Sequence, residues 1–350
     1  MSNDISQKAT IRVAEYYSNS DIRIKNIPMP VIGDNEILVQ MQACGICGTD
    51  VMEWYRKKTA PKVLGHEMSG LIKSVGKNIN EFNINDRVFV SHHVPCFNCF
   101  YCDQNKHSAC NSLHAGNFFP GGFSEYIRVP EENVKFGTFL LPDEMTFDEA
   151  TMIEPMACAV AGQKMIDIKE NDLLIILGSG ISGLCHLQLA KNQGARTITT
   201  DISDHRIKQA KNFGSDYSFK ANELSAEIIR ELNDGRLADK VIVCTGNENA
   251  TKDAFNFIDK KGQVLLFAVP PNDLSIPSTL MWRNEISIFF SYGAATYDIS
   301  DTIKLCEEKK INLRRMISHQ MPLSEIVNGF KLTEEAQDSI KVVIKPDNLI

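Results

Sequence analysis

Four closely spaced cysteines are the most specific chemical feature of this 350-residue sequence. They follow the pattern Cys96-x2-Cys99-x2-Cys102-x7-Cys110, so four thiols fall within fifteen residues. Four thiolates complete the tetrahedral coordination of Zn²⁺ and leave no position open for a substrate. Two disulfides, an iron–sulfur cluster and a nucleic-acid-binding zinc ribbon are the alternatives, but a ribbon normally has a longer spacer between its cysteine pairs. The spacing therefore predicts a structural zinc site that braces this loop.

A second set of residues suits a metal site with an open position. Its members are spread along the chain: Cys44, Cys47, Thr49 and Asp50 in one segment, His66 and Glu67 in another, and Glu154 much later. A catalytic zinc takes about three protein ligands, and one thiolate, one imidazole and one carboxylate supply them. Such a cation can act as a Lewis acid toward an alcohol. The residues alone leave two other interpretations open, a buried core histidine at His66 and a redox pair of Cys44 with Cys47.

A glycine-rich turn fits the G-x-G-x-x-G pattern of dinucleotide-binding proteins. It follows a continuous apolar run over residues 172–177 and opens a helical pattern, which is the context that the mechanism requires. Glycines allow the tight turn and the close approach of a pyrophosphate, while the helix N-terminus offers free N–H groups to phosphate. The candidate cofactor contacts in this turn are Gly178, Gly180, Ile181, Ser182 and Gly183.

The residue at the end of the next strand bears on the choice between NAD and NADP. Asp201 follows the predicted strand at 197–200 and lies 18 residues after Gly183. A carboxylate there accepts hydrogen bonds from the ribose hydroxyls and repels a 2′-phosphate. Arg206 complicates this, because a nearby arginine can hold that phosphate. We give the acid more weight because it occupies the strand end itself, so NAD is the expected cofactor.

The elements that must position these residues predict an α/β protein with two domains. Short apolar runs bounded by turn residues indicate a β-rich first part, at residues 36–41, 86–90 and 123–129. Further on, strands alternate with helices as in a doubly wound parallel sheet, the strands at 172–177, 197–200, 240–244 and 263–268 and the helices at 184–192, 204–213 and 250–260. We expect a Rossmann domain over residues 157–294 and a β-rich domain over residues 1–156 and 295–350.

Composition and charge narrow the class of protein. Hydrophobic residues make up 43% of the chain and charged residues 23%, and 37 basic against 44 acidic residues give a net charge of −7. No long basic run offers a footprint for nucleic acid or anionic lipid. The longest aliphatic run, Leu173–Leu177, has five residues, far short of the roughly 20 that a membrane helix needs. We expect a cytoplasmic protein without nucleic-acid or membrane partners, in which reduced cysteines bind metal.

In order and spacing, these motifs resemble the zinc-dependent medium-chain dehydrogenase/reductase superfamily, in particular its polyol branch of sorbitol, galactitol-phosphate and threonine dehydrogenases. The resemblance covers essentially the whole chain: I-C-G-T-D ending at Asp50, G-H-E at Gly65–Glu67, the four-cysteine lobe, G-G-F-S-E-Y at Gly121–Tyr126, E-P at Glu154-Pro155, and the glycine-rich turn. It implies a GroES-like catalytic domain beside the Rossmann domain. It also implies two zinc ions per chain, one catalytic and one structural, NAD, and assembly as a homodimer or homotetramer.

The resemblance further implies roles for the residues of the open site. Cys47 and His66 would bind the catalytic zinc with Glu67 or Glu154 as the carboxylate ligand, and Cys44 would be a buried bystander. Thr49 matches the hydroxyl that takes the substrate proton. The family commonly has a histidine three residues further on to pass that proton to solvent, but here Met52 occupies the position and cannot carry a proton. Glu53, Asp50 or ordered water could take that outer step.

The implied activity is transfer of hydride between NAD and a secondary alcohol or polyol, phosphorylated or not, with the ketone as product. Oxidation of an amino alcohol such as L-threonine is one alternative, which Glu154 in place of aspartate and Met52 in place of histidine disfavour. A catalytically inactive nucleotide-binding zinc protein is a second alternative. The basic run Arg56-Lys57-Lys58 with Lys62 can attract a substrate phosphate, or it can be a solvated turn.

Overall fold

The computed structural model describes residues 9–114, 118–268, 270 and 272–349. These residues form two compact units, each with its own core. The first unit holds the described residues up to Glu154, Ala294–Glu308 and those from Asn312 onward, and the second holds Pro155–Gly293 and Lys309–Ile311.

The chain is built from short strands and helices. The strands are β1 (Thr10–Ser18), β2 (Asp21–Pro28), β3 (Ile37–Gly45), β4 (Lys62–Val63), β5 (Glu67–Val75), β6 (Arg87–Ser91), β7 (Tyr126–Val129), β8 (Thr138–Leu140), β9 (Leu173–Leu177), β10 (Arg196–Asp201), β11 (Tyr217–Lys220), β12 (Ala238–Val243), β13 (Ile258–Leu266), β14 (Ser287–Phe290), β15 (Ile317–Pro322) and β16 (Lys341–Lys345). The α-helices are α1 (Glu53–Arg56), α2 (Phe100–Asp103), α3 (Glu131–Gly137), α4 (Phe147–Ala150), α5 (Ile153–Gln163), α6 (Ile181–Asn192), α7 (Asp204–Asn212), α8 (Ala226–Leu232), α9 (Glu248–Phe257), α10 (Ser278–Asn284), α11 (Thr296–Glu307) and α12 (Ile326–Glu335). Short 3₁₀ helices lie at His107–Ala109, Asn111–His114, Arg314–Met316, Leu323–Glu325 and Asp347–Leu349.

The first unit is β-rich, as its alternating apolar runs predict. A seven-stranded sheet has the order β15-β16-β3-β5-β6-β8, with β7 also paired to β3, and a three-stranded sheet has the order β2-β1-β4. Apart from the parallel pair β15–β16, the strand pairs of this unit are antiparallel. The alternate residues Ile37, Val39 and Met41 of β3 are fully buried in the core, as expected of a strand with one face inward. The C-terminal strand β16 joins this sheet, so the tail returns to the first unit.

The second unit is a doubly wound parallel sheet. Its six strands have the order β11-β10-β9-β12-β13-β14, and every pair is parallel. Counted within the unit, this is the order 3-2-1-4-5-6 of the Rossmann fold. The apolar run Leu173–Leu177 forms β9 at the centre, and all five of its residues are buried, as expected of a parallel strand covered on both faces.

The largest boundary error in this unit lies between the helix predicted over 250–260 and the strand predicted over 263–268. The helix predicted over 250–260 ends at Phe257, and β13 begins at the next residue. The reason is tertiary, since Ile258 pairs with Ala238 of β12, and a β-branched side chain packs well in a strand. Within the described ranges, no helix is long and apolar enough to cross a lipid bilayer.

Candidate active site and metal centres

Strand pairing brings the residues of the open site together at one edge of the seven-stranded sheet. Gly45, the last residue of β3, pairs with Glu67, the first residue of β5. Glu67 pairs in turn with the last residue of β6. Cys47 follows β3, His66 precedes β5 and His92 follows β6, so all three stand beside the same edge of the sheet.

Two overlapping groups of potential metal ligands meet at His66. The ligand atoms of Cys47, His66 and Glu67 lie within 4.8 Å of one another. Those of His66, His92 and Glu154 do so as well. Each of the other three residues predicted to bind metal in the open site therefore lies close to His66, and both carboxylates stand beside it. Sulfur, nitrogen and oxygen donors in this combination suit Zn²⁺, and the choice between Glu67 and Glu154 stays a prediction.

His92 joins this cluster although the sequence did not single it out. Its ring centroid lies 4.6 Å from that of His66 and 3.7 Å from that of His93. His92 stands directly after β6, whose pairing with β5 brings it next to His66. The sequence predicts strand β6 but not its partner, and that partner is the information needed to find His92.

A buried carboxylate orients the imidazole of His66. Asp50 is fully buried, its Oδ1 lies 3.5 Å from His66 Nδ1, and its Oδ2 accepts the Cys47 N–H at 3.1 Å. Burial acts to raise the pKa of Asp50, but His66, Arg56 and the Cys47 N–H outweigh it and lower that pKa. Because Nδ1 faces Asp50, Nε2 is the nitrogen left to face a metal, and a carboxylate behind a ligating histidine is the usual arrangement.

Glu67 is paired with a lysine from the other end of the chain. Lys341 Nζ lies 2.5 Å from Glu67 Oε2 and donates to the Ile46 carbonyl at 3.1 Å, and both charged side chains are buried. Gly45 makes room for the pair, since a Cβ there would overlap Glu67 Oε2. Burial raises the pKa of Glu67, and Lys341 and His66 oppose that rise. Glu67 Oε1 is buried and makes no hydrogen bond within the described residues, which fits an atom that faces a cation.

The Thr49 hydroxyl is engaged from two sides. Its Oγ1 donates to Cys47 Sγ at 3.3 Å and accepts from Arg56 Nη2 at 2.9 Å. Arg56 also donates through Nε to the Thr49 carbonyl at 2.9 Å and through Nη2 to Asp50 Oδ1 at 3.1 Å. The basic run was expected either to attract a substrate phosphate or to form a solvated turn. The guanidinium of Arg56 is instead hydrogen-bonded to Thr49 and Asp50.

The four cysteines predicted to bind structural zinc form a cluster in the lobe between β6 and β7. Their sulfur atoms lie within 4.8 Å of one another, with 3.5 Å between Cys110 and Cys96 and 3.8 Å between Cys99 and Cys110. Tetrahedral zinc with Zn–S bonds of about 2.3 Å needs sulfur–sulfur edges of about 3.8 Å, so Cys96, Cys99, Cys102 and Cys110 fit this ion. Burial acts to raise the pKa of Cys110, but the N–H groups of Cys96 and Ser112 lower it to about 6, whereas burial raises the pKa of Cys102 to about 12. The protein alone therefore favours a thiolate at Cys110, and a cation would be needed to deprotonate Cys102.

The glycine-rich turn in the second unit has the backbone that its pattern predicts. Gly178 has φ +97°, a left-handed conformation that suits glycine, and a Cβ on Gly183 would overlap the Gly178 carbonyl oxygen. Gly180 is the N-cap of α6, and no side chain caps this helix end. Ile181 and Ser182 begin the helix, so their N–H groups have no acceptor within it and are free for a phosphate.

Asp201 and Arg206 both lie next to this turn. Asp201 ends β10, and its carboxylate accepts the Ser179 N–H at 2.8 Å and the Ser203 N–H at 2.9 Å. Arg206 Nη1 lies 3.8 Å from Asp201 Oδ2, and 3.5 Å from where a Cβ on Gly180 would stand. Each carboxylate oxygen keeps a further lone pair for a ribose hydroxyl, while the carboxylate offsets the positive charge of Arg206.

Comparison with known proteins identifies both halves of the chain. Residues 33–138 match the alcohol dehydrogenase GroES-like domain, and residues 182–308 match the zinc-binding dehydrogenase family. The chain is 30% identical over 344 residues to a sorbitol dehydrogenase of Halalkalibacterium halodurans, covering 95% of this chain and 98% of the relative. It is 33% identical over 332 residues to a D-arabitol-phosphate dehydrogenase of Enterococcus avium, covering 91% and 92%.

The fold comparison agrees with these matches. An oxidoreductase/dehydrogenase of unknown specificity from Escherichia coli has a TM-score of 0.87 and 25% identity, with 97% of this chain and 99% of that chain covered. The predicted fold class is therefore confirmed, as is the resemblance inferred from the motifs. The chain belongs to the zinc-dependent medium-chain dehydrogenases of the alcohol dehydrogenase superfamily.

Proposed function

We propose that this dehydrogenase oxidises a secondary hydroxyl of a polyol or polyol phosphate to the ketone, with zinc in the open site and NAD as the hydride acceptor. The observation that carries the proposal is that Cys47, Glu67 and Glu154 each bring a ligand atom close to His66, while the Thr49 hydroxyl is hydrogen-bonded to Cys47 Sγ. A protein that only bound nucleotide would have no use for an acid–base hydroxyl beside an open metal site.

The types of donor atom indicate which residues would bind each of the two zinc ions. Cys47, His66 and one of the two carboxylates would hold the catalytic zinc, and the four-cysteine cluster would hold the structural one. The catalytic ion, when bound, supplies Lewis acidity that lowers the pKa of an alcohol. Asp50 keeps the His66 ring in place, and the buried pair of Glu67 with Lys341 keeps that carboxylate at the site.

Thr49 is the residue that we expect to take the substrate proton. As the substrate O–H bond breaks, a new O–H bond would form at Thr49 Oγ1, and bound NAD would supply the acceptor for the hydride of the carbinol carbon. Thr49 would release its own hydrogen, which points to Cys47 Sγ before the step, to water that reaches its exposed side chain. Met52 takes no part in this step because a thioether carries no proton.

The second unit supports NAD over NADP. The fixed carboxylate of Asp201 lies beside the glycine-rich turn, where it would meet a ribose. A 2′-phosphate would place its negative charge next to that carboxylate. Arg206 favours such a phosphate, but Asp201 already lies 3.8 Å from its guanidinium.

The two relatives described above support a polyol substrate but divide over its phosphate, since one is a sorbitol and the other an arabitol-phosphate dehydrogenase. A relative named L-threonine 3-dehydrogenase, at 27% identity over 332 residues, is less similar to this chain than either. The basic run gives the phosphate little support. Arg56 is held by Thr49 and Asp50, and Lys57 pairs with Glu53 at 3.0 Å. The oligomeric state and the cytoplasmic location stay predictions.

Steady-state kinetics of the purified, zinc-loaded protein test the proposal. The substrates are sorbitol, arabitol, their phosphates, simple secondary alcohols and L-threonine, each with NAD and with NADP. We expect a polyol or its phosphate to give the highest kcat/KM, with NAD preferred by at least about tenfold. Preference for L-threonine would move the assignment to amino alcohols, and a zinc-loaded protein that turns over none of them would support the inactive alternative.

A further inference from the structure

The contact between Arg56 and Thr49 goes beyond the family comparison. Arg56 is the last residue of α1 and its side chain is only 17% exposed. Its backbone N–H donates to the Met52 carbonyl at 3.0 Å, so the helical turn that begins after Met52 is what carries the guanidinium back to Thr49. Met52 is the position at which this chain departs from the family pattern. One helical turn later, Arg56 places its guanidinium against the Thr49 hydroxyl.

Within the described residues, the Thr49 hydroxyl makes two hydrogen bonds. A hydroxyl has one hydrogen to donate and two lone pairs to accept with. Its hydrogen points to Cys47 Sγ at 3.3 Å, and one lone pair accepts from Arg56 Nη2 at 2.9 Å. One lone pair is left. An approaching alcohol can then meet Thr49 only with its own proton directed at Oγ1, which is the orientation that oxidation requires.

Arginine is suited to enforce this direction. Its guanidinium has five N–H donors, no acceptor, and remains charged in proteins. The bond to Thr49 therefore cannot reverse, whereas a water or an amide in the same place could accept the Thr49 hydrogen. Because its guanidinium does not give up or accept a proton, Arg56 cannot replace the proton-carrying histidine that the family has at the position of Met52.

We propose that Arg56 is a positioning residue that sets the Thr49 hydroxyl as a proton acceptor toward the substrate. This rests on the proposed function, because it assigns to Thr49 the acceptance of the substrate proton. The rival explanation is a purely structural one, in which Arg56 matters through its bonds to the Thr49 carbonyl and to buried Asp50. That explanation predicts damage to the turn and to metal binding rather than to proton transfer.

Two substitutions of Arg56 separate these explanations. Arg56→Gln keeps a donor but adds an acceptor, so the direction of the bond is lost. Arg56→Lys keeps a donor-only cation. We expect Arg56→Gln to lower kcat about 10- to 100-fold, as for loss of a charge-assisted hydrogen bond, with the KM for NAD and the zinc content unchanged. Arg56→Lys should keep kcat within about threefold of wild type, because it preserves a donor-only cation.

Arg23→Gln is the matched control, because it removes an exposed arginine–aspartate pair in the same unit, with Asp21 at 2.7 and 2.8 Å. Its kinetics should equal those of the wild type. Loss of zinc in Arg56→Gln, or equal activity of the Gln and Lys variants, would overturn the proposal. A wild-type protein that oxidises no alcohol would instead refute the proposed function.

A double-mutant cycle tests whether Arg56 acts through Thr49. In a Thr49→Val background there is no hydroxyl to direct, so Arg56→Gln should lower kcat by less than about threefold. A full effect in that background would show that Arg56 acts elsewhere and overturn the proposal.

Cobalt substitution gives a readout independent of turnover. The Cys47-to-cobalt charge-transfer band should shift in Arg56→Gln, because the Thr49 hydrogen is then free to leave Cys47 Sγ. The band should keep its wild-type position in Arg56→Lys. An unshifted band in both variants would contradict the proposal.

Discussion

At the scale of single residues, the charge balance of the open site explains how two carboxylates can stand beside one imidazole. With Cys47 as a thiolate and both carboxylates ionised, the proposed ligands would carry three negative charges, one more than a divalent cation neutralises. Lys341, ion-paired with Glu67, would supply the remaining positive charge. Like charges at one site oppose each other's ionisation, and Lys341 opposes the rise in the Glu67 pKa that burial and Glu154 cause.

The role of Thr49 can be measured by removing its hydroxyl without changing its shape. We expect Thr49→Val to lower kcat by about 100-fold or more, as for loss of a positioned acid–base group, and to keep both zinc ions, because Thr49 is not a ligand. Thr49→Ser should keep most of the activity. Thr333→Val on α12, which removes a hydroxyl bonded to the Gly329 carbonyl, is the control. Near-wild-type turnover of Thr49→Val would mean that the substrate proton goes to another group.

Short motifs, through their resemblance to a known family, predicted the members of this site but not their partners. Cys47, Thr49, His66 and Glu154 could be found because each belongs to a short motif in the sequence. The Glu67–Lys341 pair spans 274 residues, and neither spacing nor residue type indicates such a contact. Arg56 was assigned only to a basic run, since the sequence does not show that a single helical turn folds it back onto Thr49.

At the scale of elements, the sequence predicts the central strands better than the edge strands. β9 and β12 are buried on both faces and therefore appear as apolar runs. The missed strands β11 and β14 are the two edges of the parallel sheet, and neither contains a buried residue. Each of them has only four residues and none is fully buried, so neither offers the continuous apolar run by which β9 is identified.

Helix α6 contains a buried histidine that should make stability depend on pH. His186 is fully buried, and burial lowers its pKa to about 3. An unfolded chain regains the ordinary value of 6.5, so below that pH the unfolded state binds the proton that the folded state excludes. The stabilising effect of the neutral form is present above pH 6.5 and declines as the pH falls toward 3, by up to about 1.4 kcal/mol per pH unit.

Thermal unfolding of wild type and His186→Leu between about pH 5 and pH 7.5 measures this effect. The wild-type Tm should fall more steeply with acidification than that of the variant. His205→Gln, on α7 of the same unit, is the control and should keep the wild-type slope. Parallel slopes for wild type and His186→Leu would show that His186 is protonated without unfolding.

At the scale of the whole molecule, the two units have ordinary apolar cores whereas the cysteine lobe does not. The cores of the units contain many buried side chains from several strands. Among the described residues of the lobe, the apolar cluster consists of Cys102, Cys110 and Leu113, with Cys96 and Cys99 packed against it. A segment with so little apolar surface to bury needs a further source of stability, and metal binding by four thiolates can supply it.

Measurements of zinc content and of protease resistance in the cysteine lobe should therefore distinguish the two metal sites. Wild type should carry two zinc ions per chain, and both Cys99→Ser and Cys47→Ser should carry one. Cys99→Ser should make residues 96–110 sensitive to protease, because the lobe loses the ion that orders it. Cys47→Ser should stay resistant there, since its site lies at the edge of a sheet with its own core, yet it should lose alcohol oxidation. Cys306→Ser, which changes a thiol outside both clusters, should retain two zinc ions, full activity and full resistance. A Cys99→Ser protein that loses one zinc but keeps a protected lobe would mean that packing alone orders this segment.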